Sequence, residues 1–223
     1  IKYLQENGAK IILSTHLGRP KGEAVDALRV EPIAKRLESL IETPVQTTRD
    51  VIGEHVAETV ASLQNGDILL LENLRFHKEE EENNTQFAES LSQLADFYVN
   101  DSFGTAHRAH ASTTGVTTFL PSYAGLLLEK EIVALESLLH QPKRPFVAII
   151  GGSKISTKMG TLTAIIKKAD TIIIGGAMAY TLLEAQGITT GKSLVEKDQL
   201  EQASAILNFA KEQQKQLILP SDH

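Results

Sequence analysis

Short apolar runs alternate along this chain with segments whose apolar residues step by three and four, and that alternation limits the fold more than any other feature. The runs are residues 10–13, 67–71, 97–99, 146–150, 171–174 and 216–219. Continuous apolar character of this length, without in–out alternation, suits strands covered on both faces, as in a parallel sheet. Between the runs, Val30, Ile33, Ala34, Leu37, Leu40 and Ile41 keep helical spacing, with Pro32 near the start, where proline is tolerated. Phe87, Leu91 and Leu94 keep it too, as do Leu128, Ile132, Leu135 and Leu139. Ile155, Met159, Leu162 and Ile166 follow, and then Leu200, Ala203, Leu207 and Ala210. Strands separated by helices of this length predict repeated β-α units and a doubly wound parallel α/β sheet.

One segment reads as a boundary. The helical pattern ending at His140 runs into Gln141-Pro142-Lys143-Arg144-Pro145, and paired prolines stop a helix and stiffen a connector. The expected organisation is an N-terminal lobe over 1–125, a helix and linker over 126–145, and a second lobe over 146–223. Three visible strands are few for a closed second domain. Its helices are expected to leave apolar faces unburied, and the opening on Ile1 suggests a chain cut from something longer. The acidic stretch 79–82 reads as a solvated loop.

Composition removes several function classes. The Cys count is 0, which excludes a disulfide-framed secreted module and makes the cytoplasm the expected compartment. No apolar run approaches the roughly 18–20 residues of a membrane span, so no membrane partner is expected. With 22 Lys+Arg against 28 Asp+Glu, the formal net charge of -6 speaks against a broad nucleic-acid-binding surface. Where the positive charges sit is more telling than their sum.

In open α/β sheets, ligands bind outside the carboxyl ends of the strands. The first strand leads into Ser14-Thr15-His16-Leu17-Gly18-Arg19-Pro20-Lys21-Gly22, and the run at 67–71 leads into Glu72-Asn73-Leu74-Arg75-Phe76-His77. The run at 97–99 leads into Asn100-Asp101-Ser102-Phe103-Gly104-Thr105-Ala106-His107-Arg108-Ala109-His110. Three strand ends thus bring Arg19, Arg75 and Arg108 towards one edge, with His16, His107 and His110. Guanidiniums offer bidentate donors matched to phosphate and carboxylate, so a small, highly charged anion is the expected ligand. A single arginine after a strand is more often a surface or ion-pair residue; three together are harder to read that way. His107 and His110 lack a Cys, Asp or Glu in ligand spacing, so no metal held by this chain is expected.

The strand at 146–150 ends in Gly151-Gly152-Ser153-Lys154, followed by a helical pattern carrying Lys158. Glycines at a strand-to-helix turn let backbone approach a ligand, and a helix N-terminus favours anions. Lys154 and Lys158, at i,i+4, are expected to share one helix edge; two solvated lysines on an amphipathic helix is the alternative. Gly187-Ile188-Thr189-Thr190-Gly191-Lys192-Ser193 imitates a phosphate-binding P-loop but has three residues between its glycines instead of four. It reads as a helix C-cap and loop.

Taken together, these clusters closely resemble the phosphoglycerate kinases. The resemblance runs through residues 14–22, 71–76, 101–112 and 151–158, and so spans essentially the whole chain. It implies two Rossmann-like lobes joined by a helix, 3-phosphoglycerate or 1,3-bisphosphoglycerate on the first, and Mg2+ with ATP or ADP on the second. Hinge closure would bring them together for a phosphoryl transfer of glycolysis. The family's substrate positions fall on His16, Leu17, Gly18, Arg19, Arg75 and Arg108. Its nucleotide-phosphate lysines fall on Lys154 and Lys158, which would be the catalytic pair, with Gly151 and Gly152 beside them. The family's opening strand, an early arginine, the metal-holding carboxylate and a late glycine-rich loop have no counterpart here. The resemblance therefore implies an internal fragment, inactive alone, of a parent expected to be a monomer. A non-catalytic phosphate-binding fragment, or another Rossmann-type sugar-phosphate enzyme, remains the alternative.

Overall fold

The computed structural model describes residues 1–222, and the chain divides into two compact units, Ile1–Ile132 and Val133–His223. The first runs α1 (Lys2–Glu6), β1 (Ile11–Leu13), α2 (Glu31–Ile41), β2 (Val45–Thr47), α3 (Glu54–Ser62) and β3 (Ile68–Leu70). It continues through α4 (Lys78–Glu81), α5 (Thr85–Ser92), β4 (Tyr98–Asn100) and β5 (Ser122–Ala124) into α6 (Leu126–His140). The boundary between the units falls inside α6. The second unit then runs β6 (Val147–Gly151), α7 (Met159–Ile166), β7 (Thr171–Gly175), α8 (Met178–Ala185), α9 (Leu200–Glu212) and β8 (Gln216–Ile218).

All strand pairings are parallel, as the apolar runs predict. In the first unit β3 lies between β1 and β2, and β4 pairs with β5. Ile68, Leu69, Leu70 and Leu71 are each at most 3% exposed, because both faces of the sheet are covered. Leu69 and Leu71 pack with Val56, Leu63, Phe87 and Leu91, whereas Leu70 packs with Val30 and Ala34 of the α2 side. This strand is the apolar run read most directly from the sequence.

β2 and β5 escape that reading. Gln46 and Thr47 are exposed, and every residue of β5 is exposed. Backbone pairing to β3 and β4, not side-chain burial, makes them strands. Residues 79–82 also depart from the expected solvated loop. Lys78–Glu81 is a helical turn, and Glu80 is buried because its carboxylate has partners deep in the unit.

The second unit has its sheet in the order β6-β7-β8. Contrary to expectation, its helices bury their apolar faces. Leu162, Ile166, Met178, Leu182, Ile206 and Leu207 form one core with Ala148, Ile172 and Ile174. The physical reason is that α7, α8 and α9 share one sheet face and pack on one another. The opposite face carries the row Ile149, Ile173 and Ile218 in register, with Ile149 77% exposed.

Candidate functional site

In the first unit, the chain after β1 and the chain after β3 are locked to each other. Asn73 Nδ2 donates to the carbonyls of Leu17 (2.8 Å) and Leu28 (2.9 Å), while its Oδ1 accepts from Arg75 N (3.1 Å). Buried Glu72 accepts from Val30 N (3.0 Å) and Asn73 N (2.9 Å) on Oε1, and from Arg29 Nη1 (2.8 Å) on Oε2. Leu74 N donates to the Thr15 carbonyl and Gly22 N to the Arg75 carbonyl, both at 3.1 Å. Gly18 sits at φ +69°, and a Cβ there would lie 2.8 Å from Leu28 Cδ2, so the loop requires glycine.

The three arginines meet different surroundings. Arg75 is 5% exposed; its Nη1 donates to the Gly18 carbonyl (3.1 Å) and its Nε lies 3.4 Å from Glu81 Oε1. It is partly spent on holding the loop. Arg19 is exposed and Arg108 half-buried, and neither makes an ion pair among the described residues. Burial pushes the His16 imidazole below its ordinary value, and the charges of Arg75, Arg108 and His110 push it further, against Glu81. The cations that add to this effect of burial are of the sign that would attract an anion. The structure thus brings His16, Arg75, Arg108 and His110 together. Leu17 serves through its carbonyl, while Arg19 and His107 are exposed on their loops.

The arm carrying Arg108 is held from behind. Glu80 accepts from Ser112 N (2.9 Å) and Ser112 Oγ (2.6 Å), lies 3.7 Å from His110 Nδ1, and takes Ala111 N on its own carbonyl (2.9 Å). Burial, with the Glu80 charge adding, pushes the Tyr98 hydroxyl up to about 12. Sequence reading passed over Glu80, since one glutamate in an acidic tract carries no mark of its partner 32 residues on.

In the second unit two Gly-Gly turns abut. Gly176 sits at φ +71°, and a Cβ there would lie 2.8 Å from the Gly152 carbonyl oxygen, which accepts from Met178 N (2.9 Å). Gly151 ends β6 in register with Gly175. Lys154 lies in the loop after β6, and Lys158 closes the 3-10 turn Ser156–Lys158 ahead of α7. The expected shared helix edge is therefore corrected: only a short turn separates the lysines, because α7 begins at Met159. Both are exposed. Nor are the amides of Ile155 and Ser156, ahead of α7, open to an anion. Glu196 Oε2 accepts from Ile155 N (2.6 Å) and Ser156 N (3.2 Å), and Oε1 accepts from Ser156 Oγ (2.6 Å). Nothing near Glu196 in the sequence announces that role. Residues 187–193 form a helix end and loop, with Gly187 N donating to the Glu184 carbonyl (2.9 Å). Two cavities of about 250 Å³, one lined by Ile52, His77 and Phe87 and one by Arg29, Thr48 and Glu72, have none of Arg19, Arg75, Arg108, Lys154 and Lys158 in their lining.

Residues 1–223 match the family model for phosphoglycerate kinase. The chain belongs to the phosphoglycerate kinase family. Among curated relatives, the phosphoglycerate kinase of Dictyoglomus turgidum is 52% identical over 222 residues, and that of a Nostoc species 55% over 223. Each alignment takes in 100% of this chain and 56% of the relative, so the chain spans little more than half the length of these kinases. Among solved structures, the phosphoglycerate kinase of Coxiella burnetii superposes with a TM-score of 0.82 at 37% identity, over 98% of this chain and 55% of that one. That of Pyrococcus horikoshii superposes with a TM-score of 0.84 at 30% identity, over 98% and 57%. Among the described residues no helix is long and apolar enough to cross a membrane, and no group of three His, Asp or Glu is placed to hold a metal ion.

Proposed function

We propose that this chain is the phosphate-recognising part of an enzyme that moves a phosphoryl group between 1,3-bisphosphoglycerate and ADP, giving 3-phosphoglycerate and ATP. The observation that supports the reading is that Arg75, Arg108 and His110 lie close enough to His16 for their charges to act on it, while Arg75 also holds the Gly18 carbonyl of the same loop. In this reading, Arg19, Arg75 and Arg108 anchor the phosphate that is not transferred, and His16 takes the carboxylate end or glycerate backbone. Leu17 and Gly18 shape that loop. In the second unit Lys154 and Lys158 take the nucleotide phosphates beside Gly151 and Gly152, with Lys158 following the moving group and Lys154 the transition-state charge. Residues 126–145 connect the two lobes, 1–125 and 146–223.

The chemistry asks little covalent work of the protein. A terminal phosphate oxygen of ADP attacks the acyl phosphorus, the bond from phosphorus to the carboxyl oxygen breaks, and the carboxylate leaves with the electron pair. What the protein supplies is alignment, dryness and fixed positive charge. Magnesium enters as part of the nucleotide substrate. In this reading the lysines contribute charge to the phosphates, and the metal's carboxylate, the early arginine and the late glycine-rich loop that the family resemblance implies are sought elsewhere in the enzyme. On the same ground the 223-residue chain alone is expected not to turn over.

The test mixes the acyl phosphate and ADP with the full-length enzyme and follows ATP. Lys158→Ala should lower kcat by about 10²–10³, the range for losing one preorganised electrostatic group. No ATP from the unsubstituted enzyme, with retained phosphate-ester binding, would favour a non-catalytic binding module. ATP made by the isolated chain above a Lys158→Ala control would overturn its expected inactivity.

A further inference from the structure

We propose that Glu196 is a positioning residue for the nucleotide-phosphate lysines: its carboxylate takes the Ile155 and Ser156 amides between Lys154 and Lys158 and so fixes the segment that carries both. The inference rests on the functional reading above and adds to it a residue that touches no substrate.

The geometry is that of a clamp. One carboxylate oxygen takes two successive amides, Ile155 and Ser156, and the other takes the Ser156 hydroxyl. Ile155 is itself fully buried in the core of the second unit, so the turn is held on its inner side by packing and on its outer side by Glu196. The clamp is anchored in turn. Glu196 N donates to Thr181 Oγ1 at 3.1 Å, and Thr181 is 1% exposed within α8. A residue 41 positions along the chain thereby ties the lysine turn to α8. No Lys, Arg or His lies within ion-pair range of Glu196 among the described residues, so amide and hydroxyl donors satisfy its charge and both lysines stay free of it. The Ser156 hydroxyl, and behind it the two amides, hold the carboxyl below its ordinary value against desolvation and the Asp198 charge.

Glu80 grips Ser112 in the first unit in the same way, taking backbone amide and hydroxyl of one serine on its two oxygens. Both segments proposed to carry anion-binding cations are thus backed by a carboxylate–serine clamp. A carboxylate beside phosphate ligands could instead compete with them for the lysines, and the two roles differ in outcome. A positioning role depends on the hydrogen bonds, which a glutamine can largely reproduce. A competing role depends on the charge, which glutamine removes.

The experiment measures steady-state kinetics of Glu196→Ala, Glu196→Gln and Ser156→Ala in the full-length enzyme, varying ADP and 1,3-bisphosphoglycerate separately. Glu196→Ala should raise KM for ADP about tenfold or more, as misplaced groups do, while KM for the bisphosphoglycerate moves less than about twofold. Glu196→Gln should restore the ADP value to within about threefold of the parent. An unchanged KM for ADP in Glu196→Ala, or tighter ADP binding in Glu196→Gln, overturns the proposal. If Glu196→Ala does not fold, Ser156→Ala decides: a raised KM for ADP supports the clamp and an unchanged one overturns it. If the unsubstituted enzyme makes ATP but the variants show no ADP-specific rise in KM, this inference alone fails, whereas an unsubstituted enzyme that makes no ATP sinks the functional reading beneath it.

Discussion

Arg19, Arg75 and Arg108 carry the same charge but are held differently, and substitution should separate them. Arg75 is buried, bonded to the Gly18 carbonyl and close to Glu81. Arg75→Ala should therefore cost about 1–3 kcal/mol of stability by leaving the Gly18 carbonyl without its donor, read as a lower urea midpoint. Arg19→Ala, at an exposed position, should leave stability within about 0.5 kcal/mol. On the proposed function, it should nonetheless weaken 3-phosphoglycerate binding by the full-length enzyme by about 1.5–3 kcal/mol in calorimetry, the scale of a hydrogen bond to a charged group. Equal stability losses in the two variants would contradict the assignment. His16 adds a pH signature. Burial and the neighbouring cations lower its folded pKa below the ordinary 6.5, so the unfolded chain binds the proton more readily than the folded one. Its contribution to stability is present above pH 6.5 and is lost as pH falls through the folded value. His16→Asn should flatten the urea midpoint across that window, and a slope identical to the parent's would refute the charge cluster around it.

At the scale of elements, carboxylates with several hydrogen-bond partners do the joining. Glu72 ties the start of α2 to the end of β3, Glu80 ties α4 to the arm after β4, and Glu196 ties the loop after α8 to the turn before α7. Each accepts backbone amides that would otherwise lack partners, and a buried donor without an acceptor is costly. Glu80→Ala should destabilise the first unit by about 1–3 kcal/mol, the cost of leaving the Ser112 donors unpaired, and Glu80→Gln by clearly less. Urea titration of both variants gives the comparison; a Glu80→Ala midpoint matching the parent's would show that the Ser112 contacts carry no weight. These joints leave no trace in hydrophobic spacing, which is why 79–82 reads as a loop while Glu80 is among the most buried charged residues of its unit.

Across the whole molecule, burial is uneven in a way that mutation can read. Leu162 is fully buried among α7, α9 and the sheet, whereas Ile149 on the opposite sheet face is 77% exposed. Leu162→Ala should cost about 2–5 kcal/mol, as cavity-forming core truncations do, while Ile149→Ser should change stability by less than about 1 kcal/mol. Comparable losses in the two would mean that the exposed row is covered in solution. The sequence by itself determined the parallel α/β class, because strands covered on both faces, such as Ile68–Leu70, need apolar residues at every position. It also determined which strand ends carry Arg19, Arg75, Arg108, Lys154 and Lys158, since a residue's place after a strand is a matter of chain order. Only the tertiary structure decided which of those cations stay free of ion pairs, that Lys154 lies off the helix, and that β2 and β5 are strands at all. Those outcomes turn on hydrogen-bond partners tens of residues away, such as Glu80 for Ser112 and Glu196 for Ser156. Such partners are selected by distance through space, which local spacing along the chain does not encode.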